Sequence, residues 1–240
     1  MATRAERKAV AALRRKKERR ARGCFVVEGG KSVRDLLATG WPVEAVFATE
    51  AWHPPGKLDV PLLPVSASEM SEMSALESPQ SVLAVAEVPP APELDLHQGR
   101  WLLLDGIRDP GNLGTVLRLA DWFGLDGMVL SPDCVDWTSP KVVQASMGSL
   151  FRVPFRVRAL EELLANCPTA CAGAFLDGEN LFETGLPAEG WLVIGGESNG
   201  IRPELAENIP RRLTIPRFGG AESLNAAMAA SVFCAEWRRR

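Results

Sequence analysis

Residues 101–123 read WLLLDGIRDPGNLGTVLRLADWF, and this stretch decides the fold. Trp101–Leu104 is an unbroken apolar run of the length expected for a strand buried on both faces. Asp105–Asn112 interrupts it with aspartate, glycine and proline, and from Leu113 to Phe123 the apolar residues return at helical spacing. Strand, polar loop and helix form the repeating unit of an α/β sheet. The same alternation continues downstream. Strands are expected at Gly127–Leu130, Val153–Val157, Ala170–Phe175, Trp191–Ile194 and Arg212–Ile215. Helices are expected at Pro140–Met147, Leu160–Asn166, near Pro203–Glu207, and from about Leu224 to Arg239. The expected fold class is α/β, a parallel sheet with helices on both faces.

Upstream lies VPPAPELDLHQG (residues 88–99), the segment with the strongest linker character. Before it, Cys24–Val27, Val43–Ala48, Leu62–Val65 and Val82–Val88 read as strands. Lys31–Ala38 and Ser68–Ala75 read as helices, giving a small α/β domain. The expected division is a basic arm (1–22), a small domain (23–88), a linker (89–99) and the larger domain (100–240). The arm itself, residues 2–20, has helix-forming composition with only Val10 and Leu13 as an apolar stripe.

The net charge of -3 conceals an asymmetry. Residues 1–22 hold ten Lys/Arg against Glu6 and Glu18, leaving 17 basic and 28 acidic residues for the rest. A basic arm on an acidic body fits a polyanionic partner, although a solvated charged helix has the same composition. Five scattered cysteines and two histidines form no zinc-spaced constellation, so the thiols are expected free, in keeping with a reducing cytoplasm. Neither a secretory leader nor a membrane-length apolar run is recognisable, so a soluble protein is expected.

In parallel sheets the strand-to-helix loops carry function. Three are informative: 105–118, 195–201 (GGESNGI) and 215–225 (IPRFGGAESLN). Singly, each has an ordinary explanation. Asp109–Asn112 could be a turn with Asn112 as helix cap, and Gly195–Gly196 could merely allow a tight turn. Ser223 could be an N-cap and Asn225 a polar first-turn residue. Their joint order and spacing, however, resembles the SpoU (TrmH-type) family of RNA ribose methyltransferases, of the SPOUT superfamily. The family's D-P-x-N-L-G-x-x-x-R is matched by Asp109, Pro110, Asn112, Leu113, Gly114 and Arg118. G-x-E-x-x-G is matched by Gly195, Glu197 and Gly200. I-P-…-E-S-L-N is matched by Ile215, Pro216, Glu222, Ser223, Leu224 and Asn225. Lys141, Ala145, Ser146 and Gly148 also resemble the family, and Phe25–Gly29 resembles the start of its substrate-binding domain. Arg217 stands where the family commonly has Met.

The resemblance implies S-adenosylmethionine as cofactor and methyl transfer to a ribose 2′-hydroxyl. Cofactor contacts would come from Gly195, Gly196, Gly200, Ile215, Leu224 and Asn225. Arg118 would be catalytic, with Asn112, Glu197, Ser223 and Asn225 organising the site or touching substrate. The family role for this arginine is a base; guanidinium chemistry favours holding phosphate or stabilising a developing alkoxide. No metal is implied. The resemblance also implies a C-terminal deep trefoil knot, an L30e-like N-terminal domain and a homodimer. In the last helix Leu224, Met228, Ser231, Val232 and Ala235 form the expected packing face, with Arg238–Arg240 at its C-terminal dipole. Ribosomal RNA of the large subunit is the expected partner, with transfer RNA as the alternative. Two rivals are a non-enzymatic RNA-binding protein of this fold and a Rossmann-type enzyme. The latter wants G-x-G-x-x-G, but Glu197 replaces the middle glycine.

Overall fold

A computed structural model describes residues 1–167 and 170–239. Its elements run α1 Arg4–Ala12, α2 Lys16–Arg22, β1 Cys24–Glu28, α3 Gly30–Ala38, β2 Val43–Ala48, β3 Leu62–Pro64, α4 Ala67–Met73 and β4 Val82–Glu87. They continue β5 Arg100–Asp105, α5 Pro110–Trp122, β6 Gly127–Leu130, α6 Pro140–Ser146, β7 Phe155–Val157, α7 Leu160–Leu164 and β8 Cys171–Asn180. The last are α8 Leu181–Thr184, β9 Gly190–Gly195, α9 Pro203–Ala206, β10 Arg211–Thr214 and α10 Ala226–Arg239. Two compact units result: Met1–Pro90 with Asp136–Arg152, and Ala91–Val135 with Val153–Arg240.

In the first unit the strand order is β1-β4-β2-β3, antiparallel except for the β2–β3 pair. The basic arm is no free appendage. Val10 and Leu13 are buried with Met70, Met73 and Leu83, and burying them stabilises the arm far more than its composition would. Within the stretch of helix-forming composition, helix is interrupted between α1 and α2. Arg19, 4% exposed, donates through Nη1 to the carbonyls of Leu13 and Arg14 and so closes the end of α1. Its Nη2 meets Asp136 Oδ2 at 2.5 Å, and its Nε donates to Thr138 Oγ1 at 3.0 Å. Residues 136–152, which connect β6 to β7, are thereby built into this unit. Trp137 and Phe151 join Phe25 and Trp41 in an edge-to-face cluster with centroids 5.3–6.4 Å apart.

The second unit is a six-stranded sheet, β10-β8-β9-β5-β6-β7, with every pairing parallel. The expected parallel α/β sheet is present. Trp101 and Leu103 pack with Val193, Leu160 and Leu205, while Leu102 and Leu104 are also fully buried, so both faces of β5 are covered. β8 runs five residues beyond the expected end at Phe175, because Glu179 and Asn180 re-pair with β10 after a register shift. The expected packing face of the last helix is wrong. Ala226, Ala227, Ala230, Phe233, Cys234 and Trp237 are the buried apolar residues, whereas Met228 is 60% exposed. The small alanines let α10 lie close to α5, and the Trp237 indole donates to Pro187 O. Arg238 does not serve its own helix end but binds the carbonyls of Phe123 and Gly124 after α5; Arg240 lies outside the described residues. No helix among the described residues is long and apolar enough to cross a membrane.

Burial alone would raise the Asp136 carboxyl, but hydrogen bonds from Thr138 and Arg19, with the guanidinium charge, bring it below the ordinary carboxylate range. Its stabilising contribution is full above pH about 4 and fades as pH falls through the depressed value. Arg19→Leu is expected to lower stability in urea by about 3–5 kcal/mol at neutral pH and to flatten the acid-side fall in stability.

Candidate active site

Three loops at the carboxyl ends of β5, β9 and β10 are tied by one carboxylate. The Asn112 amide donates to Glu197 Oε1 at 2.7 Å, and the Asn225 amide donates to the same oxygen. Asn225 Nδ2 also donates to Asn112 Oδ1 at 2.9 Å, closing a triangle among residues far apart in sequence.

Local structure explains each member. Asp109, not Asn112, caps α5: its Oδ1 accepts from the Asn112 amide at 2.8 Å, and Pro110 fits the first helical turn. Asn112 therefore sits in the first turn with its side chain free to reach across the loops. Asn225 is the residue before α10, and its Oδ1 accepts from the backbone of Ala227 and Met228, the pattern of an N-cap. One side chain thus starts a helix with its oxygen and holds the next loop with its nitrogen. Ser223, the other cap candidate, is exposed and makes no hydrogen bond among the described residues.

Gly195 and Gly196 are required by space. A Cβ on Gly195 would lie 2.1 Å from Gly200 C, and one on Gly196 would lie 2.6 Å from Gly106 O. Their absence lets the second loop fold on itself through a Gly196–Gly200 bridge and lie against the first. Beside it opens a cleft lined among others by Ile107, Asn112, Gly196, Glu197, Gly200 and Ala226.

The cleft contains charged residues that the motif reading missed. Asp105, 1% exposed, accepts from Arg202 N and Nε, both at 2.8 Å. Burial acts against the Arg202 charge, yet Asp105 and Glu161 outweigh it and raise the guanidinium's affinity for its proton. Asp133 accepts from Ser131 Oγ at 2.6 Å, and Ser131 Oγ accepts from Gly106 N. Arg108 stands 3.9 Å from Asp133. An aspartate ending a buried strand was a visible signal for Asp105; nothing local pointed to Arg202.

The remaining predicted residues lie apart from the triangle. Leu224 is 50% exposed, and Ile215 is half-buried at the end of β10. From Arg217 to Leu224 no backbone N–H donates to another described residue, so this loop offers free main-chain donors. Arg118 is exposed on α5, without a hydrogen bond or ion pair among the described residues. Six residues of helix turn it about 120° away from Asn112. No group of three or more potential metal ligands occurs among the described residues.

Residues 99–235 match the SpoU rRNA Methylase family, and residues 6–84 match the MRM3-like substrate binding domain. The 23S rRNA (guanosine(2553)-2'-O)-methyltransferase RlmP of Bacillus subtilis is 33% identical, over 92% of this chain and 90% of its own. A solved protein from Porphyromonas gingivalis, assigned to the TrmH family of RNA methyltransferases, superposes with a TM-score of 0.90 at 39% identity, covering 100% and 99% of the two chains. The AdoMet-bound rRNA methyltransferase of Sinorhizobium meliloti gives a TM-score of 0.86 at 28% identity, covering 100% and 97%. With the motif loops joined at one carboxylate and the family match extending across the parallel sheet, this chain belongs to the SpoU rRNA methylase family.

Proposed function

We propose that this chain transfers the methyl group of S-adenosylmethionine to a ribose 2′-hydroxyl of ribosomal RNA, in the large subunit. The observation that carries the reading is the Asn112–Glu197–Asn225 triangle, which brings the three motif loops into one site. The rRNA-directed relatives favour ribosomal over transfer RNA. Residues 1–88 would recognise RNA, and residues 100–240 would carry out methyl transfer. Five cysteines with no disulfide among the described residues suit a cytoplasmic setting.

The loops fit the cofactor chemically. Adenine and a zwitterionic amino acid present polar edges, and the free amides of 217–224 beside the glycines of 195–200 can approach them closely. Gly195, Gly196, Gly200, Ile215, Leu224 and Asn225 are the proposed holders. When bound, S-adenosylmethionine supplies a methyl already activated on a sulfonium. The protein's tasks are to aim the ribose oxygen and stabilise it as its proton leaves. Both amides of the triangle engage Glu197 Oε1, leaving Oε2 to accept from substrate or cofactor. Arg118 has no partner to give up among the described residues, so its fork is available for a phosphate or the developing alkoxide. We assign it that role rather than the base.

The homodimer belongs to the same proposal. Leu224 just before α10, Met228 on α10 and Trp122 on α5, 84% exposed, leave apolar surface uncovered in a single chain. So does the trefoil knot: after β9 the chain passes β8 to reach the edge strand β10, then returns in α10 to pack on α5 and β9.

Mapping ribose methylation on total RNA with and without active protein tests the function. Loss of a mark confined to transfer RNA, or no uptake of S-adenosylmethionine by calorimetry, would reject the proposal; RNA retention without cofactor uptake would favour the non-enzymatic reading. Arg118→Ala is expected to lower kcat about 10²–10³-fold, and Arg118→Lys to lose nearly as much if the planar fork is what matters. Wild-type kinetics in Arg118→Ala would remove it from the mechanism. Asn225→Ser should keep the helix cap, holding stability within a few tenths of a kcal/mol, yet weaken cofactor binding; Asn225→Ala should cost about 1 kcal/mol as well. Met228→Asp should shift the sedimenting species from dimer to monomer.

A further inference from the structure

The N-terminus of α3 gathers hydrogen-bond donors for which the described residues supply no acceptor. Gly29, at φ 98°, occupies the N-cap position and has no side chain to fold back, so the amides of Gly30, Lys31 and Ser32 stay unpaired. Glu28 cannot substitute, because its carboxylate is engaged by the Ser74 hydroxyl and the Ala75 amide. A second, independent donor points to the same place. Trp52 is only 6% exposed, and its indole N–H is buried without a partner. Its Nε1 lies 3.5 Å from where a Cβ on Gly30 would stand. The indole nitrogen thus abuts Gly30, the residue whose amide opens the helix.

We propose that this cradle binds a phosphate group of the RNA backbone. The inference rests on the RNA-substrate reading above and places one contact within it. The unpaired groups are all donors, which selects an anion with several oxygens over a neutral or amphoteric ligand. The nine residues of α3 add the positive end of a helix dipole. Arg34, one turn further along the same face, is exposed and has no partner among the described residues. The nearest helix carboxylate, Asp35, is already neutralised by Lys31 at 2.8 Å and Arg152 at 3.3 Å. Paired glycines at 29 and 30 keep the space open. The site falls within the segment matching a substrate binding domain, outside the methyl-transfer loops.

Two substitutions test the cradle without dismantling the fold. Trp52→Phe keeps an aromatic ring in the core and removes the N–H. Gly30→Ala places a methyl at ordinary contact distance from Trp52 and fills the space, while favouring the helix. Binding of the full chain to a large-subunit ribosomal RNA transcript would be followed across a salt series. Each variant is expected to bind about three- to tenfold more weakly, with the salt slope little changed because neither removes a cation. S-adenosylmethionine affinity should not change, and the thermal midpoint of Gly30→Ala should hold or rise. The Trp52 indole resonance, identified by its loss in Trp52→Phe, should move when RNA is added. Movement with inorganic phosphate but not with RNA would overturn the RNA assignment. Wild-type RNA affinity in both variants would overturn the site itself, even if the wild-type chain methylates RNA normally. A wild-type chain that neither binds nor methylates RNA would sink the parent reading, and this one with it.

Discussion

The site depends on a single acceptor, Glu197 Oε1, receiving two amide donors from two other loops. It is the atom at which all three loops meet, beside the direct Asn225–Asn112 bond. From Arg217 to Leu224 no backbone N–H of the third loop donates to another described residue, and the loop leans on Asn225 at its end. Asn225 in turn starts α10, so the direction of the last helix and the position of the second loop are set by the same side chain. A carboxylate between two amides suits this role. It only accepts, the amide nitrogens only donate, and the remaining Asn112 Oδ1 is satisfied by Asn225. The network closes on itself, which is the condition under which a polar cluster gives rigidity instead of strain.

The sheet beneath makes this economical. All six strands are parallel, so the ends of β5, β9 and β10 face the same side and their loops emerge together. Asp105 anchors the next turn of chain by holding Arg202 through backbone and side chain at once. The two glycines of the second loop allow it to lie against Gly106 with no side chain between. Rigidity comes from backbone approach and from buried charge pairs, leaving the exposed side chains of the loops free for ligands.

Much of this was legible in the sequence because it is local. Apolar runs and helical spacing located the sheet, and glycine, proline and capping residues marked the loops. What escaped was set by partners distant in the chain. Arg19 looks like any other arm cation until Asp136 is brought to it from 117 residues away. The helix at 140–146 was visible by periodicity, but periodicity does not say which core a helix fills, and this one joins the first unit. In α10 two faces are apolar, and alanine spacing against α5 decided which is buried. Asn225 was identified by motif, yet its double duty as cap and tie requires both neighbours in view.

The same distinction governs how a chain of net charge -3 meets a polyanion. At physiological salt a charge is felt over only about 8 Å, so the acidic body does not cancel a local basic surface. The basic residues are not equivalent, however. Arg7 is held by Glu69 and Glu72, Arg14 by a carbonyl, Arg15 by Glu18, Arg19 by Asp136 and Arg22 by Glu44. Arg4, Lys8, Lys16, Lys17 and Arg20 are exposed with no partner among the described residues. Only cations of this second kind release a counterion's worth of free energy on meeting phosphate without first giving up a protein contact. The first kind instead build the arm into a packed surface, which holds the free cations in fixed positions. Half of the arm's basic residues thus serve the fold, while the other half stay exposed with no partner among the described residues.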